Sequence, residues 1–245
     1  MMRLLMIVAA TLGTTLAGAA ETAVAVAANF TAPAEEIAAA FTAATGDAVV
    51  LSFGSTGAFY TQITRGAPFT VFLSADDKRP AMTVTEGLGV EGTVFTYAVG
   101  KAVLYSPMID MADGEAVLRG AAFEHRAIAD PNTAPSGAAA MEVLDGLGLT
   151  DALAPNIVTG ENISQTLQFV DSANAELGFV ALSQVIDKPA AQGWRVPVEL
   201  YTPIPQDAVL LKTGENDSVA KAFMAFLKGD EARSIIERYG YGNAN

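Results

Sequence analysis

Short apolar runs alternate with polar turns and helix-forming stretches along the first half of the chain. Thr22–Ala27 alternates as Thr-Ala-Val-Ala-Val-Ala, which is a short strand pattern, and 48–53 and 69–73 are typical of further buried strands. A polar turn follows each run, and helix-forming segments then end near Gly46 and Gly66. Strands that alternate with helices predict a mostly parallel sheet covered by helices on both faces.

The same unit recurs in the second half. A long strand-like stretch covers 95–105, and one or two helices are expected within 217–238. Further short strands are predicted at 126–129, 156–158, 177–182 and 206–211. No linker rich in glycine, serine or proline separates the two halves. The pattern therefore predicts an α/β protein, and two domains would join through strand-like crossovers near 97–103 and 199–208.

The first twenty residues have the layout of a secretory signal peptide. Arg3 precedes an apolar run at 4–8, and small residues at 14–20 provide a cleavage site before Glu21. A membrane-spanning helix needs about 20 apolar residues, and this run is shorter. The chain has no cysteine, which excludes disulfides, thiolate metal sites and a lipid-anchor cysteine. We expect a periplasmic protein exported by a cleavable signal peptide.

Composition limits the partners. A formal net charge of −13 with 51% hydrophobic residues indicates a soluble, acidic globule with a substantial core. No basic stripe is available to neutralise phosphates, so nucleic acid is not an expected partner. Net charge does not exclude a small anion as ligand, because local dipoles govern a binding site.

Polar turns at 54–57, 132–137 and 160–163 share one arrangement, in which a strand ends and a helix begins. Such turns lie at the carboxyl ends of strands, where open α/β sheets bind ligands. Helix starts leave backbone N–H groups unpaired and carry partial positive charge, so several of them can hold an anion. Each polar residue there is also explained as an N-cap. The candidates with side chains are Asn29, Ser55, Thr56 and Ser136.

Catalysis has little support in the sequence. His125 is the single histidine and no cysteine exists, so the chain has no thiol nucleophile and His125 makes a poor metal site or triad. The turn at 54–57 lacks the spacing of a nucleophile elbow. Asp76 and Asp77 could ligate a metal ion, but aspartates at a strand end more often cap the following helix. We therefore expect a protein that is not an enzyme, has no cofactor and has no direct metal-ion ligands.

Several long segments resemble the periplasmic molybdate-binding proteins of ABC importers, over nearly all of the mature chain. The matching segments are Val26-Ala-Ala-Asn-Phe-Thr-Ala-Pro, Val50-Leu-Ser-Phe-Gly-Ser-Thr-Gly, Gly66-Ala-Pro-Phe-Thr-Val-Phe-Leu-Ser-Ala-Asp-Asp, Gly160-Glu-Asn-Ile and Leu177-Gly-Phe-Val-Ala-Leu-Ser. The resemblance implies a two-lobed type II periplasmic-binding-protein fold with the ligand in the cleft. One lobe would comprise 21–97 and 204–245, and the other 98–203, after a signal peptide at 1–20.

The resemblance also implies a binding site. Asn29 and Thr56 of the first lobe would each offer a side-chain donor and a backbone N–H. From the second lobe, Ser136 stands where members have tyrosine or alanine, and Ile163 would contribute its backbone N–H. Ala28 and Ala181 stand where some members have threonine and tyrosine, which removes two hydroxyls, and Ser55 or Ser136 would compensate. The complete oxyanion-binding set is Asn29, Thr56, Ser136, Ile163, Ser55 and Ala28.

The resemblance implies capture of molybdate or tungstate, closure of the lobes and delivery to a membrane permease by a monomer. The nearest alternative is the same fold with another small oxyanion, such as sulfate or thiosulfate. Ferric iron requires an oxygen-rich site containing tyrosine, whereas Tyr239 and Tyr241 lie in the C-terminal tail. A secreted hydrolase and a ligand-free relative that responds to no anion are the other possibilities.

Overall fold

The computed structural model describes residues 20–242. Apart from Ala20, the predicted signal peptide at 1–20 lies outside the described residues. None of the helices within 20–242 is both long enough and apolar enough to cross a membrane.

Within residues 20–242, ten strands form two five-stranded sheets, and each sheet with the helices that cover it is called a lobe, the first and the second. The strands are β1 (Glu21–Ala27), β2 (Ala48–Gly54), β3 (Val71–Leu73), β4 (Phe95–Gly100), β5 (Ala102–Tyr105), β6 (Arg126–Ala129), β7 (Ile157–Gly160), β8 (Leu177–Ala181), β9 (Gly193–Arg195) and β10 (Ile204–Leu210). The first lobe has the order β2-β1-β3-β10-β4, and the second has β7-β6-β8-β5-β9. The predicted two-lobed α/β fold class is confirmed.

Each sheet is mostly parallel, as expected. In the first lobe only β10 runs against its neighbours, and in the second lobe only β5 does. These are the two strands that the chain enters from the other lobe. β4 continues to Gly100 within the first sheet, so the chain changes sheets at Lys101, beyond the predicted boundary at 97/98.

Helices cover both faces of each sheet. Their bounds are α1 (Thr31–Thr45), α2 (Thr56–Thr64), α3 (Lys78–Thr85), α4 (Gly114–Gly120), α5 (Pro135–Gly146), α6 (Thr150–Leu153), α7 (Ile163–Asp171), α8 (Leu182–Val185), α9 (Ser218–Leu227) and α10 (Asp230–Arg238). α1 ends at Gly46, whose φ of 80° is the left-handed conformation that glycine adopts without strain. The terminal region contains two helices, separated at Gly229.

Each lobe has apolar clusters of its own. In the first lobe, Phe30, Phe41 and Phe223 are fully buried between the sheet and helices α1, α9 and α10. In the second lobe, Leu104 and Leu144 belong to the corresponding cluster beneath α5. A small cluster joins the lobes, and it consists of Ala28, Ala129, Ala134, Ile163 and Ala181. The two lobes are therefore in direct apolar contact at the edge where the polar turns lie.

Candidate functional site

Strand register brings the polar turns to one edge of each sheet. β1 and β2 are parallel and end together, with Ala27 paired to Gly54. β6 and β7 likewise end together, with Ala129 paired to Gly160. In the first lobe the chain then enters the start of α2 and a 3-10 turn, Ala28–Phe30, that leads directly into α1; in the second lobe it enters the starts of α5 and α7. The four helix starts thus face each other across the interface between the lobes, as predicted for ligand binding at the carboxyl ends of strands.

These four turns line a small pocket between the lobes. All six residues predicted from the sequence line it: Ala28, Asn29, Ser55, Thr56, Ser136 and Ile163. The other lining residues are Ala27, Gly54, Ala75, Ala134, Pro135 and Asn162. The structure thus brings the complete predicted set together, with members from both lobes. Ala181 does not line the pocket and instead lies in the apolar cluster between the lobes.

Thr56 offers a hydroxyl donor to the pocket. It is the first residue of α2, and its side chain is buried. Its Oγ1 accepts a hydrogen bond of 2.9 Å from the Ala75 N–H. A hydroxyl can accept and donate at once, so this bond orients the Thr56 oxygen and leaves its proton for a ligand. Ser55 precedes the helix but makes no side-chain capping bond, so its hydroxyl is not used to cap α2.

The side-chain amide of Asn29 donates to other residues of the protein, whereas the sequence analysis expects it to donate to the ligand. Both Nδ2 hydrogens have acceptors, Gln206 Oε1 at 3.0 Å and the Tyr241 hydroxyl at 3.1 Å. A primary amide has only two hydrogens to donate. Of the two donors expected from Asn29, only the backbone N–H remains for an anion in this arrangement.

The second lobe offers backbone donors at two helix starts. The Asn162 side chain caps α7 by accepting from the N–H groups of Ser164 and Gln165. This leaves the Ile163 N–H, which as the first residue has no acceptor within its own helix. α5 begins with Pro135, which has no N–H, so its first backbone donor is Ser136. Both donors lie in the pocket wall.

A buried hydrogen-bond network lies behind Asn29. The Tyr97 hydroxyl, on β4, donates to the Ser74 carbonyl at 2.9 Å and lies 3.2 Å from Gln206 Oε1, on β10. The Asn29 carbonyl accepts from the Tyr241 hydroxyl at 2.7 Å and from Ser183 Oγ of the second lobe at 2.8 Å. The network therefore links a pocket residue to both lobes and to the C-terminal segment.

Burial raises the pKa of both tyrosines in this network. Desolvation is the largest cause for Tyr97 and also for Tyr241. Both hydroxyls therefore stay protonated at neutral pH and act as donors. Burial likewise raises the pKa of nearby Asp207, although a hydrogen bond from Thr96 opposes the shift.

Sequence reasoning missed Gln206, Ser183 and Tyr241 as supports of the site. Gln206 lies 177 positions from Asn29, and Tyr241 lies 212 positions away. No local spacing connects residues so far apart in the chain. Two polar residues, Gln206 and Asp207, at the start of the predicted apolar strand 206–211 are the one signal that could have drawn attention to Gln206.

The pocket is uncharged. Within residues 20–242, none of its lining side chains carries a formal charge. No cluster of three or more His, Asp or Glu residues suited to a metal ion occurs in the same range. Its electrostatic character comes from the helix starts, each of which directs unpaired N–H groups and partial positive charge at the cavity. This arrangement suits a small anion with several acceptor oxygens.

The sequence and the fold of this chain are both similar to those of known bacterial solute-binding proteins. The family model described as "Bacterial extracellular solute-binding protein" matches residues 22–242. The chain is 55% identical over 225 residues to the molybdate-binding protein ModA of Rhodobacter capsulatus, covering 92% of this chain and 89% of the relative. It is 53% identical over 230 residues to the ModA protein of Azotobacter vinelandii, covering 92% and 91%. The solved periplasmic molybdate-binding protein of Azotobacter vinelandii superposes with a TM-score of 0.88 at 40% identity, covering 91% of this chain and 100% of that one.

Proposed function

This chain belongs to the bacterial extracellular solute-binding protein family, and on that premise we propose that it captures molybdate or tungstate for an ABC importer. The observation that carries the proposal is the convergence of four helix starts from two lobes on one small, uncharged pocket. Relatives above 50% identity that are named molybdate-binding proteins support the choice of ligand. The role is capture and delivery rather than catalysis.

The pocket presents donors to the anion from both lobes. We assign the ligand contacts to the Thr56 hydroxyl and to the backbone N–H groups of Asn29, Thr56, Ser136 and Ile163. The Ser55 and Ser136 hydroxyls are further donors, and Ala28 contributes an apolar wall. A tetrahedral dianion offers only acceptors, so it matches such a shell. Phosphate carries a proton near neutral pH and would bring a donor with no acceptor to meet it.

Closure of the two lobes is the proposed capture step. The anion first meets the helix starts of one lobe, and closure brings the N–H groups of the other lobe onto its remaining oxygens. The anion stabilises the closed state because only that state completes the shell. The sequence-based division into 21–97 with 204–245 and 98–203 remains our proposal for the lobes, with its first boundary moved from 97/98 to Gly100 because β4 ends there within the first sheet.

The protein is extracytoplasmic, as its family description states. We propose that residues 1–20 are a signal peptide cleaved before Glu21, which would release a free, monomeric protein into the periplasm. Its partner would be the membrane permease of an ABC importer, which would receive the closed, loaded form. The proposed site uses no cofactor, since the oxyanion is the cargo.

A thermal melt of the mature protein with molybdate, tungstate, sulfate and phosphate tests the proposal. A ligand at 100 to 1,000 times its Kd adds about 2.7 to 4.1 kcal/mol to the free energy of unfolding. For a chain of this size that is very roughly 5 to 15 °C. We expect this shift with molybdate and tungstate only. A shift with sulfate alone would keep the fold and overturn the ligand, and no shift with any anion would overturn oxyanion binding.

A further inference from the structure

Two hydrogen bonds outside the pocket connect the lobes, and both end on one loop of the second lobe. The Gly57 N–H, at the start of α2, donates to the Thr133 carbonyl at 2.8 Å. Arg79 Nη2, at the start of α3, donates to the Asn132 carbonyl at 3.0 Å. We call these four residues, Gly57, Arg79, Asn132 and Thr133, the clasp. None of them lines the pocket.

Gly57 allows the lobes to approach closely. A Cβ atom built on Gly57 would lie 2.9 Å from Thr133 Cα and 3.1 Å from the Thr133 carbonyl oxygen. Both neighbours are backbone atoms, so they cannot turn away as a flexible side chain would. Gly57 lies inside α2 and has no left-handed φ, so its backbone conformation does not require glycine. The contact with the opposite lobe explains the absence of a side chain.

Both sides of the clasp are fixed before they meet. The Arg79 guanidinium forms an ion pair with Asp76, whose Oδ1 accepts from the Arg79 N–H at 2.9 Å and from Ser74 Oγ at 3.0 Å. Across the interface, Asp130 Oδ1 accepts from the Asn132 N–H at 2.9 Å. The Asp130 carbonyl accepts from the N–H groups of Thr133 and Ala134. Neither partner therefore needs to be ordered at the moment of closure, which lowers the entropic cost of forming the clasp.

We propose that the clasp determines how long the closed protein retains its anion. The inference rests on the proposed function and extends it to residues that do not touch the ligand. Because the clasp bonds join opposite lobes, they exist only when the lobes are closed. They stabilise that state with or without the anion and must break before the anion can leave. Gly57 and Arg79 are thus positioning residues for ligand retention.

Gly57→Ala gives a clear test because retention should change while stability stays nearly constant. Alanine is the better helix former, which offsets the lost clasp bond, so the ligand-free variant should melt near the wild-type temperature. The added methyl group keeps the lobes apart, and we expect molybdate to dissociate at least about tenfold faster. Gly120→Ala is the matched control. Gly120 is the last residue of α4, and a Cβ atom placed on it would have no neighbour within 4 Å. Dissociation is measured by rapid dilution with metal analysis of the retained fraction.

Arg79→Gln removes the hydrogen bond from Arg79 to the Asn132 carbonyl. Lys78→Gln is the control, because it removes one positive charge from the adjacent, exposed residue. We expect faster dissociation of molybdate in Arg79→Gln only.

The radius of gyration without anion, from small-angle scattering, should increase in Gly57→Ala and remain unchanged in Gly120→Ala. If wild-type protein binds none of the four anions, the proposed function fails, while this scattering comparison still tests the clasp. Wild-type dissociation rates and radii in both clasp variants would overturn the inference.

Discussion

Thr56 is the one side chain of the pocket whose hydroxyl is both buried and oriented by a backbone bond. Thr56→Ala removes the donor and leaves the Ala75 N–H without its acceptor. A hydrogen bond to a charged group contributes about 1.5 to 3 kcal/mol, so we expect molybdate to bind roughly 10- to 150-fold more weakly. Isothermal titration calorimetry measures the change.

Two control substitutions make this prediction specific. Thr56→Ser keeps the hydroxyl and should bind molybdate close to the wild-type level. Thr64→Ala removes an exposed hydroxyl from the other end of α2, where it only donates to the Thr61 carbonyl. If Thr56→Ala bound as tightly as these controls, the Thr56 hydroxyl would not contact the anion.

Asn29 shows where residue-level prediction reached its limit. Its position at the end of a predicted strand makes it a candidate for the site, and in the structure it lines the pocket. Its rotamer depends on Gln206 and Tyr241, which are distant in sequence. The sequence explains Ser55, by contrast, more simply as an N-cap, whereas in the structure its hydroxyl does not cap α2. Local patterns located these residues, but only tertiary contacts determine which of their atoms are available.

At the scale of elements, most strands and helices could be predicted because period and turn chemistry are local, but β9 and α4 were not predicted, and the stretch 95–105 divides into β4 and β5. The structural role of the terminal segment after α10 could not be predicted from the sequence. Gly240 has a φ of 83°. A Cβ atom placed on Gly240 would lie 2.9 Å from the side chain of Leu182 in α8. Gly242 pairs with Val99 of β4. This segment therefore crosses the interface between the lobes, although no sequence pattern in its few residues predicts that contact.

Tyr241 is the residue by which this segment contacts both lobes. Tyr241→Phe removes the hydroxyl that donates to the Asn29 carbonyl and accepts from the Asn29 amide. Leaving buried polar groups unpaired costs about 1 to 3 kcal/mol, which is roughly 2 to 10 °C in melting temperature for a chain of this size. A melt without ligand measures the change.

Tyr60→Phe is the control for Tyr241→Phe, because it removes the same atom from an exposed hydrogen bond with Glu86. Surface changes of this kind usually stay within about 0.5 kcal/mol. Equal melting temperatures for the two variants would show that the buried network behind Asn29 does not contribute to stability.

At the scale of the whole molecule, the formal charge of −13 opposes the approach of a dianion. The Debye length falls from about 30 Å at 0.01 M salt to about 8 Å at 0.15 M. We therefore expect the association rate of molybdate to rise over this range, while its dissociation rate changes little, because the closed pocket is shielded from solvent ions. Stopped-flow kinetics at several concentrations of sodium chloride measure both rates. An association rate that falls with added salt would mean that local positive potential outweighs the net charge.

The uncharged lining of the pocket has a consequence for the conditions under which the protein works. Within the described residues, the wall contains only apolar groups, hydroxyls, amides and backbone, and none of these gains or loses a proton at ordinary environmental pH. The affinity of such a pocket would then vary with the protonation of the anion alone, so one protein can scavenge the same ion in mildly acidic and in alkaline water.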